Sequence, residues 1–172
     1  MYDSTEDTKT HIIKVGEYMG IIFHEISRRI QSHDASKLSD PEKATFAEFT
    51  PKLKGSTYGS DEYKSFLEAM KPALDHHYAK NRHHPEHFNN GVHGMTIVDV
   101  IEMFCDWCAA TERHDDGNIG KSINTNKKRF NFDEDLASIF VNTAQSYQMG
   151  RRSHIAYRKS QVDMNSFSGK VK

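Results

Sequence analysis

The chain has 172 residues, with 23 basic and 24 acidic side chains and a formal net charge of −1. This length suits one domain with a continuous core, and the balanced charge argues against binding to nucleic acid or to an anionic membrane surface. No apolar run approaches the roughly 20 residues of a membrane span, and the polar start, MYDSTEDTKT, is unlike a signal peptide. We therefore expect a cytoplasmic protein that acts on a small molecule, with a homo-oligomer as an open alternative.

The first predicted element is an amphipathic helix over residues 8–31. Its apolar residues recur at steps of three and four, which is the helical period. They are Val15, Met19, Ile22, Ile26 and Ile30. Extending this stripe backward reaches His11, and extending it forward reaches His33. We expect both imidazoles on the core side of the helix or at its exit.

The next segments are predicted from their start and stop signals. Ser39 and Glu42 have the spacing of a capping box around Pro41, which favours a helix start. Pro51 and the glycines that follow it favour a loop. The predicted order is a helix over 40–49, a loop over 50–60, a helix over 61–80 and a histidine-rich loop over 81–94.

Residues 96–111 are apolar nearly all round, which predicts a buried helix. Three carboxylates lie in it at steps of three and four: Asp99, Glu102 and Asp106. Buried carboxylates need a cationic partner, which is either a metal ion or a set of Arg, Lys or His side chains. Cys105 and Cys108 in the same helix are expected to be core thiols rather than a redox or zinc site.

The rest of the chain is predicted as a loop over 114–131, a helix over 133–148 and a basic tail over 150–172. No segment shows convincing strand alternation. We therefore expect an all-α fold, with a single bundle of about five or six helices within residues 1–149.

Histidine is the residue type that stands out, because six of the 11 histidines fall between His76 and His93. Neutral imidazole is a common metal ligand and carries protons near neutral pH. The adjacent pair His33-Asp34 offers the nitrogen and oxygen that a borderline divalent cation accepts together. A helix cap is the alternative role for Asp34, and a core position is the alternative for His11.

Three motifs carry a family resemblance: HDASK at 33–37, HHYAKNRHH at 76–84 and EMFCDW at 102–107. A histidine, then His-Asp, then a late aspartate resembles the HD-domain metal-dependent phosphohydrolase superfamily. Within it, the three motifs are similar to HD-x-SK, a histidine pair followed by N-x-HH, and EM-x-x-DW in small uncharacterised HD-like proteins of bacteria and phages. The chain lacks the Gly-Tyr-Pro that marks the subclass cleaving cyclic dinucleotides.

The resemblance implies an HD-like helical fold that holds one or two divalent ions, either Mn, Fe, Co, Ni, Zn or Mg. The implied metal ligands are His11, His33, Asp34, His76 and Asp106. The groups implied to act on the substrate are Lys37, His77, His83 and His84. Which histidine of each adjacent pair is a ligand stays open.

The activity implied by the resemblance is hydrolysis of a nucleotide or another small phosphate ester by a metal-bound water. Two alternatives remain. One is a di-iron oxygenase, because the HD fold also hosts such enzymes. The other is a metal-binding module without enzymatic activity, in which protein ligands complete the metal's coordination.

Overall fold

The computed structural model of the chain describes residues 2–57, 60–113 and 117–150. Within these residues the regular structure consists of seven α-helices and three short 3-10 helices, without a strand. This confirms the predicted all-α class. None of the described helices combines the length and the apolarity that a bilayer span needs. The predicted basic tail lies outside the described residues, apart from Gly150.

The chain divides into two compact units, Met1–Asp99 and Val100–Lys172, and the boundary lies inside the fifth helix. The α-helices of the first unit are α1 (Thr5–Ser32), α2 (Glu42–Gly55), α3 (Asp61–Ala69) and α4 (Lys71–Lys80). Its 3-10 helices are Ala35–Leu38, Pro85–His87 and Gly91–Gly94. The remaining helices are α5 (Ile97–Thr111), α6 (Ile119–Phe130) and α7 (Glu134–Ser146).

The helical period predicted for the first element is confirmed, but its predicted burial is wrong. Helix α1 contains no buried residue. Met19 and Ile30 of the expected core stripe are 67% and 74% exposed. An apolar stripe therefore identified the helix without identifying what covers that stripe.

Helix α2 differs from the prediction at both ends. It runs through Pro51 to Gly55, and the predicted loop begins later. Pro51 lacks the N–H that would bond the carbonyl of Ala47, but both residues are exposed, so water can satisfy that carbonyl. At the other end Pro41 occupies the N-cap without a side-chain bond, so the predicted Ser39 capping box is wrong.

The predicted helix over 61–80 is two helices, α3 and α4, joined at Met70. Met70 is 1% exposed and belongs to the core of the first unit. Pro72 cannot donate the helical hydrogen bond to the carbonyl of Glu68, which separates the two helices.

The fifth helix has the predicted bounds but not the predicted all-round burial. Met103 and Phe104 are buried, whereas Ile97 is 66% exposed. The prediction of two core thiols holds for Cys108, which is buried, and is wrong for Cys105, which is exposed. In the second unit the Phe104 ring stacks on Phe140 at 4.9 Å between centroids.

The loop predicted over 114–131 is wrong, because α6 occupies most of it. Asn118 caps this helix by accepting a hydrogen bond from the Lys121 backbone N–H. Ile119 and Ile123 are its buried residues, four positions apart. The Gly, Asn and Ser residues near its start favoured a loop, which is why the helix was missed. Helix α7 follows the cap that Asp133 provides, close to the predicted start.

Asp99 forms a buried ion pair with two arginines in the first unit. Its side chain is 0% exposed. Arg82 Nη2 donates to Oδ2 at 2.9 Å, and Arg29 Nη2 donates to Oδ1 at 3.0 Å. Burial raises the pKa of Asp99, but the hydrogen bonds from Arg82, Thr96 and Arg29 outweigh it and lower the pKa to about 2. For this carboxylate the cationic partner is arginine.

We expect the free energy of unfolding to fall in acid as Asp99 becomes protonated and its ion pair with the arginines is lost. The folded pKa of about 2 lies below the ordinary value of 3.8, so this stabilisation is complete above about pH 4 and is lost as the pH falls through 2. Asp99→Asn should reduce the free energy of unfolding by about 3 kcal/mol near neutral pH, since it removes the buried carboxylate that Arg82 and Arg29 both bond, and the Arg29 side chain is only 12% exposed. Urea unfolding of both proteins between pH 6 and pH 2 measures this difference, which should narrow below about pH 4. A difference independent of pH would contradict the assignment.

Candidate metal centre

Four side chains of the first unit bring their ligand atoms within 4.8 Å of one another: Asp34, His77, His83 and His84. His77 Nε2 lies 2.9 Å from His84 Nε2. Asp34 Oδ1 lies 3.3 Å from His77 Nε2 and 3.5 Å from His83 Nε2. Three imidazole nitrogens and one carboxylate oxygen thus face a common point.

These separations are those of ligand atoms around one small cation. With metal–ligand distances of about 2.0–2.2 Å, neighbouring ligand atoms are about 3.3 Å apart in a tetrahedral site and about 2.9 Å apart in an octahedral one. Asp34 Oδ1 is buried, and no described residue gives it a well-aligned hydrogen bond. A buried carboxylate oxygen in that position is costly without a cation. The four residues therefore fit a divalent metal ion.

Asp34 reaches the cluster from a strained backbone position just after α1. Its φ of 55° lies in the left-handed region, which aspartate tolerates better than most residues. The side chain makes no capping hydrogen bond to the following 3-10 helix, so the alternative role as a helix cap does not hold. Lys37 Nζ instead donates to Oδ2 at 2.6 Å, and Oδ1 lies toward the imidazoles.

Glu42 holds His77 in place from behind. This carboxylate is 0% exposed, and His77 Nδ1 donates to its Oε2 at 2.8 Å. Ser36 Oγ donates to the same oxygen at 3.0 Å, and His76 Nδ1 donates to Oε1 at 2.8 Å. A carboxylate on Nδ1–H fixes the tautomer of His77 whose Nε2 lone pair faces the cluster, as second-shell carboxylates do in metal sites.

Glu42 was missed as a site residue by the sequence prediction. Its spacing from Ser39 suggested a capping box, which is a local explanation for a glutamate at the start of a helix. Nothing in that spacing links Glu42 to His77, which is 35 positions further along the chain. Only the packing of α2 against α4 brings the two together.

The charges of the site favour metal binding. Burial opposes ionisation of Asp34, but the imidazoles of His77 and His83 beside Oδ1, together with the hydrogen bond and charge of Lys37, hold the pKa of its carboxyl well below the usual range. Burial, together with the nearby His83 and His77 rings, lowers the pKa of His84 to about 2. An ionised carboxylate and a neutral imidazole are the forms that bind metals.

Two predicted ligands lie beside the four-atom cluster rather than in it. His33 packs its ring against His83 at 4.4 Å between centroids, and its Nε2 lies 3.7 Å from Asp34 Oδ2. His76 is bound through Nδ1 to Glu42, on the far side of His77. Conversely, the cluster contains His77, His83 and His84, which were predicted to act on the substrate.

The structure does not bring His11 to this cluster. His11 is exposed on α1, 22 positions before His33 along the chain. At a rise of about 1.5 Å per residue, the helix separates these positions by about 33 Å. Two residues of one helical stripe lie on the same face of the helix, but they can be far apart along its axis. The expectation that His11 and His33 share an ion is therefore corrected. Asp106 is a half-buried residue of α5 in the second unit, and its role as a ligand stays a prediction.

A family model described as "Family of unknown function (DUF5662)" matches residues 1–146. The chain belongs to this family. No match was found among curated proteins or among solved structures. All four residues of the cluster, together with Glu42 and Lys37, lie within the matched range. Because the family description names no activity, the resemblance to HD-domain hydrolases stays a prediction.

We expect Glu42→Gln to weaken metal binding while the four ligands remain. An amide in place of the carboxylate no longer favours the Nδ1–H tautomer of His77, and loss of such a partner reduces affinity about 10- to 100-fold. Calorimetric titration of the metal-free protein with Zn²⁺ or Co²⁺ measures the Kd. Glu48→Gln is the matched control, since Glu48 lies exposed on the same helix in an ion pair with Lys52. An unchanged Kd in a folded Glu42→Gln protein would contradict the positioning role.

Proposed function

We propose that Asp34, His77, His83 and His84 bind a divalent metal ion and that the protein hydrolyses a small phosphate ester, with nucleotides as the first class to test. The observation that carries the metal proposal is the set of ligand-atom separations, 2.9, 3.3 and 3.5 Å. The hydrolase proposal rests in addition on Lys37 beside the cluster and on the HD-x-SK resemblance.

The donor set narrows the choice of metal. Three imidazoles and one carboxylate suit Zn, Fe, Co or Ni, whereas Mg prefers oxygen ligands and retains several waters. Of the ions expected from the resemblance, Mg is therefore the least suited to this cluster. Mn is intermediate, because it accepts carboxylate and imidazole but binds more weakly than the later metals.

In the proposed reaction, the bound ion supplies a water of lowered pKa and charge to balance the phosphoryl oxygens. Lys37 binds a phosphoryl oxygen through its ammonium group, which lies 2.6 Å from Asp34 Oδ2 with its side chain 31% exposed. His33 is 32% exposed beside the cluster and serves as the proton carrier. The proposal thus exchanges roles, since His77, His83 and His84 become ligands and His33 acts on the substrate instead of binding the ion.

One observation favours the non-enzymatic alternative. Four protein ligands complete a tetrahedral site, and a completed site leaves no position for water or substrate. Two of the three separations, 3.3 and 3.5 Å, are nearer to tetrahedral geometry, and the third, 2.9 Å, is nearer to octahedral geometry, in which two further positions stay open. The measurements that follow separate these alternatives, and they also test the di-iron oxygenase, which needs two irons in each chain.

We expect the protein purified without chelator to contain one equivalent of a first-row transition metal or zinc. His84→Ala should lower the metal content to a small fraction, because it removes one of four ligands from a half-buried position without emptying the core. His93→Ala is the matched control, since His93 is exposed outside the cluster. Elemental analysis measures the content, with thermal melts to confirm folding. Full metal content in folded His84→Ala would contradict the site, and two irons in each chain would favour the oxygenase.

We expect the metal-loaded protein to release phosphate from a nucleotide or a small phosphate ester. Lys37→Met should reduce kcat/KM by about 10²- to 10³-fold, the usual effect of removing one group that stabilises transition-state charge. Lys43→Met is the control, because Lys43 is exposed on α2. Metal content is measured in each variant, since Lys37 also bonds Asp34. Absence of phosphate release from every ester by metal-loaded wild type would contradict the hydrolase and leave the metal site standing.

A further inference from the structure

Most of α1 is an exposed helix rich in apolar residues. Every residue from 5 to 24 is exposed, which amounts to more than five helical turns. The large apolar residues on this stretch include Ile12, Val15, Tyr18, Met19, Ile22 and Phe23. Phe23 is 73% exposed. A helix of this composition is stable in water when a partner covers its apolar face.

Five of the apolar residues of α1 follow the repeat of a coiled coil, whereas Ile13 and Ile21 lie outside it. Ile12, Val15, Met19, Ile22 and Ile26 are spaced three, four, three and four apart. This average of 3.5 residues keeps a seam facing another helix along its whole length. The ion pair between Lys14 and Glu17 lies away from this seam, on the polar side of the helix.

The residues that flank the seam match a parallel copy of the same helix. In a parallel pair, a residue just before one seam position lies beside the residue five positions later on the other chain. That rule places Tyr18 beside Phe23 of the second copy, an aromatic pair on each side of the seam. One heptad earlier it places His11 beside Gly16, where an added Cβ would meet no atom within 4 Å. The glycine leaves room for the imidazole.

We propose that α1 pairs in parallel with α1 of a second copy, so that the protein is a homodimer. The apolar face exposes on the order of 700 Å² per chain, from the exposed fractions of its side chains and about 150–250 Å² for each. The side chains in this sum are Ile12, Val15, Tyr18, Met19, Ile22 and Phe23. A stable complex buries about 800 Å² on each partner, so the face is of the size that a dimer requires. The pairing is independent of the metal centre and of the proposed reaction.

Sedimentation equilibrium of the full chain tests the pairing. Wild type should have about twice the 19.8 kDa mass of one chain. Met19→Glu should have the mass of one chain, because it puts a charge in the middle of the seam. Ile21→Glu is a closely matched control, since Ile21 is 64% exposed, Met19 is 67% exposed, and Ile21 lies opposite the seam. This control should stay dimeric.

Two results would overturn the dimer. One is a wild type of monomeric mass at tens of micromolar chain. The other is an equal mass for Met19→Glu and Ile21→Glu, either that of one chain or that of two chains. A monomeric wild type whose Tm falls in Met19→Glu alone would show that the face is covered within one chain, which also overturns the proposal.

Disulfide cross-linking tests the direction of the pairing. A parallel pair puts residue 12 of each copy in contact, whereas an antiparallel pair puts it at the opposite end of the seam. Ile12→Cys should therefore form a covalent dimer under mild oxidation, and Ile21→Cys should form at most the background that exposed Cys105 produces. Equal cross-linking of the two variants would overturn the parallel arrangement.

Discussion

The buried carboxylate of Glu42 is the constraint on which the first unit depends. It is fully enclosed, yet its two oxygens accept hydrogen bonds from His76, His77 and Ser36. Removing a charge from water is costly, so the position is stable only while these donors surround it. The same bonds tie α2 to α4 and to the turn after α1, and they fix the ring of His77. The same hydrogen bonds therefore hold elements of this unit together and position one residue of the candidate metal centre.

The interior of the first unit contains several charged or polar side chains. Glu42 and Asp99 are both fully buried, as are the imidazoles of His77 and His83. Asp99 is neutralised by arginine, whereas Asp34 faces imidazoles whose ligand atoms point at one another. The first arrangement is complete within the chain, and the second is of the kind that a cation completes. This difference separates a structural ion pair from a candidate site.

Helix α1 joins two features at its opposite ends. Its last residues lead directly into His33 and Asp34, where the left-handed backbone turns the carboxylate toward the cluster. Its first five turns present an apolar seam to the surroundings. The dimer and the metal centre are nevertheless separate proposals, each with its own test.

The sequence by itself determined the helical class, the period of α1, the approximate positions of α5 and α7 and the histidine-rich motifs, because these depend on residues near one another in the chain. It missed α6, because Gly, Asn and Ser near the start of that helix favoured a loop. It linked His11 with His33, because an apolar stripe shows which face of a helix two residues share but not how far apart they lie along its axis. Only the tertiary structure decided that Asp99 pairs with arginine and that Glu42 bonds His77. It also decided that the imidazoles of His77, on α4, and of His83 and His84, in the segment after α4, lie next to Asp34. Those contacts join segments tens of residues apart, and the packing of the helices sets which side chains meet.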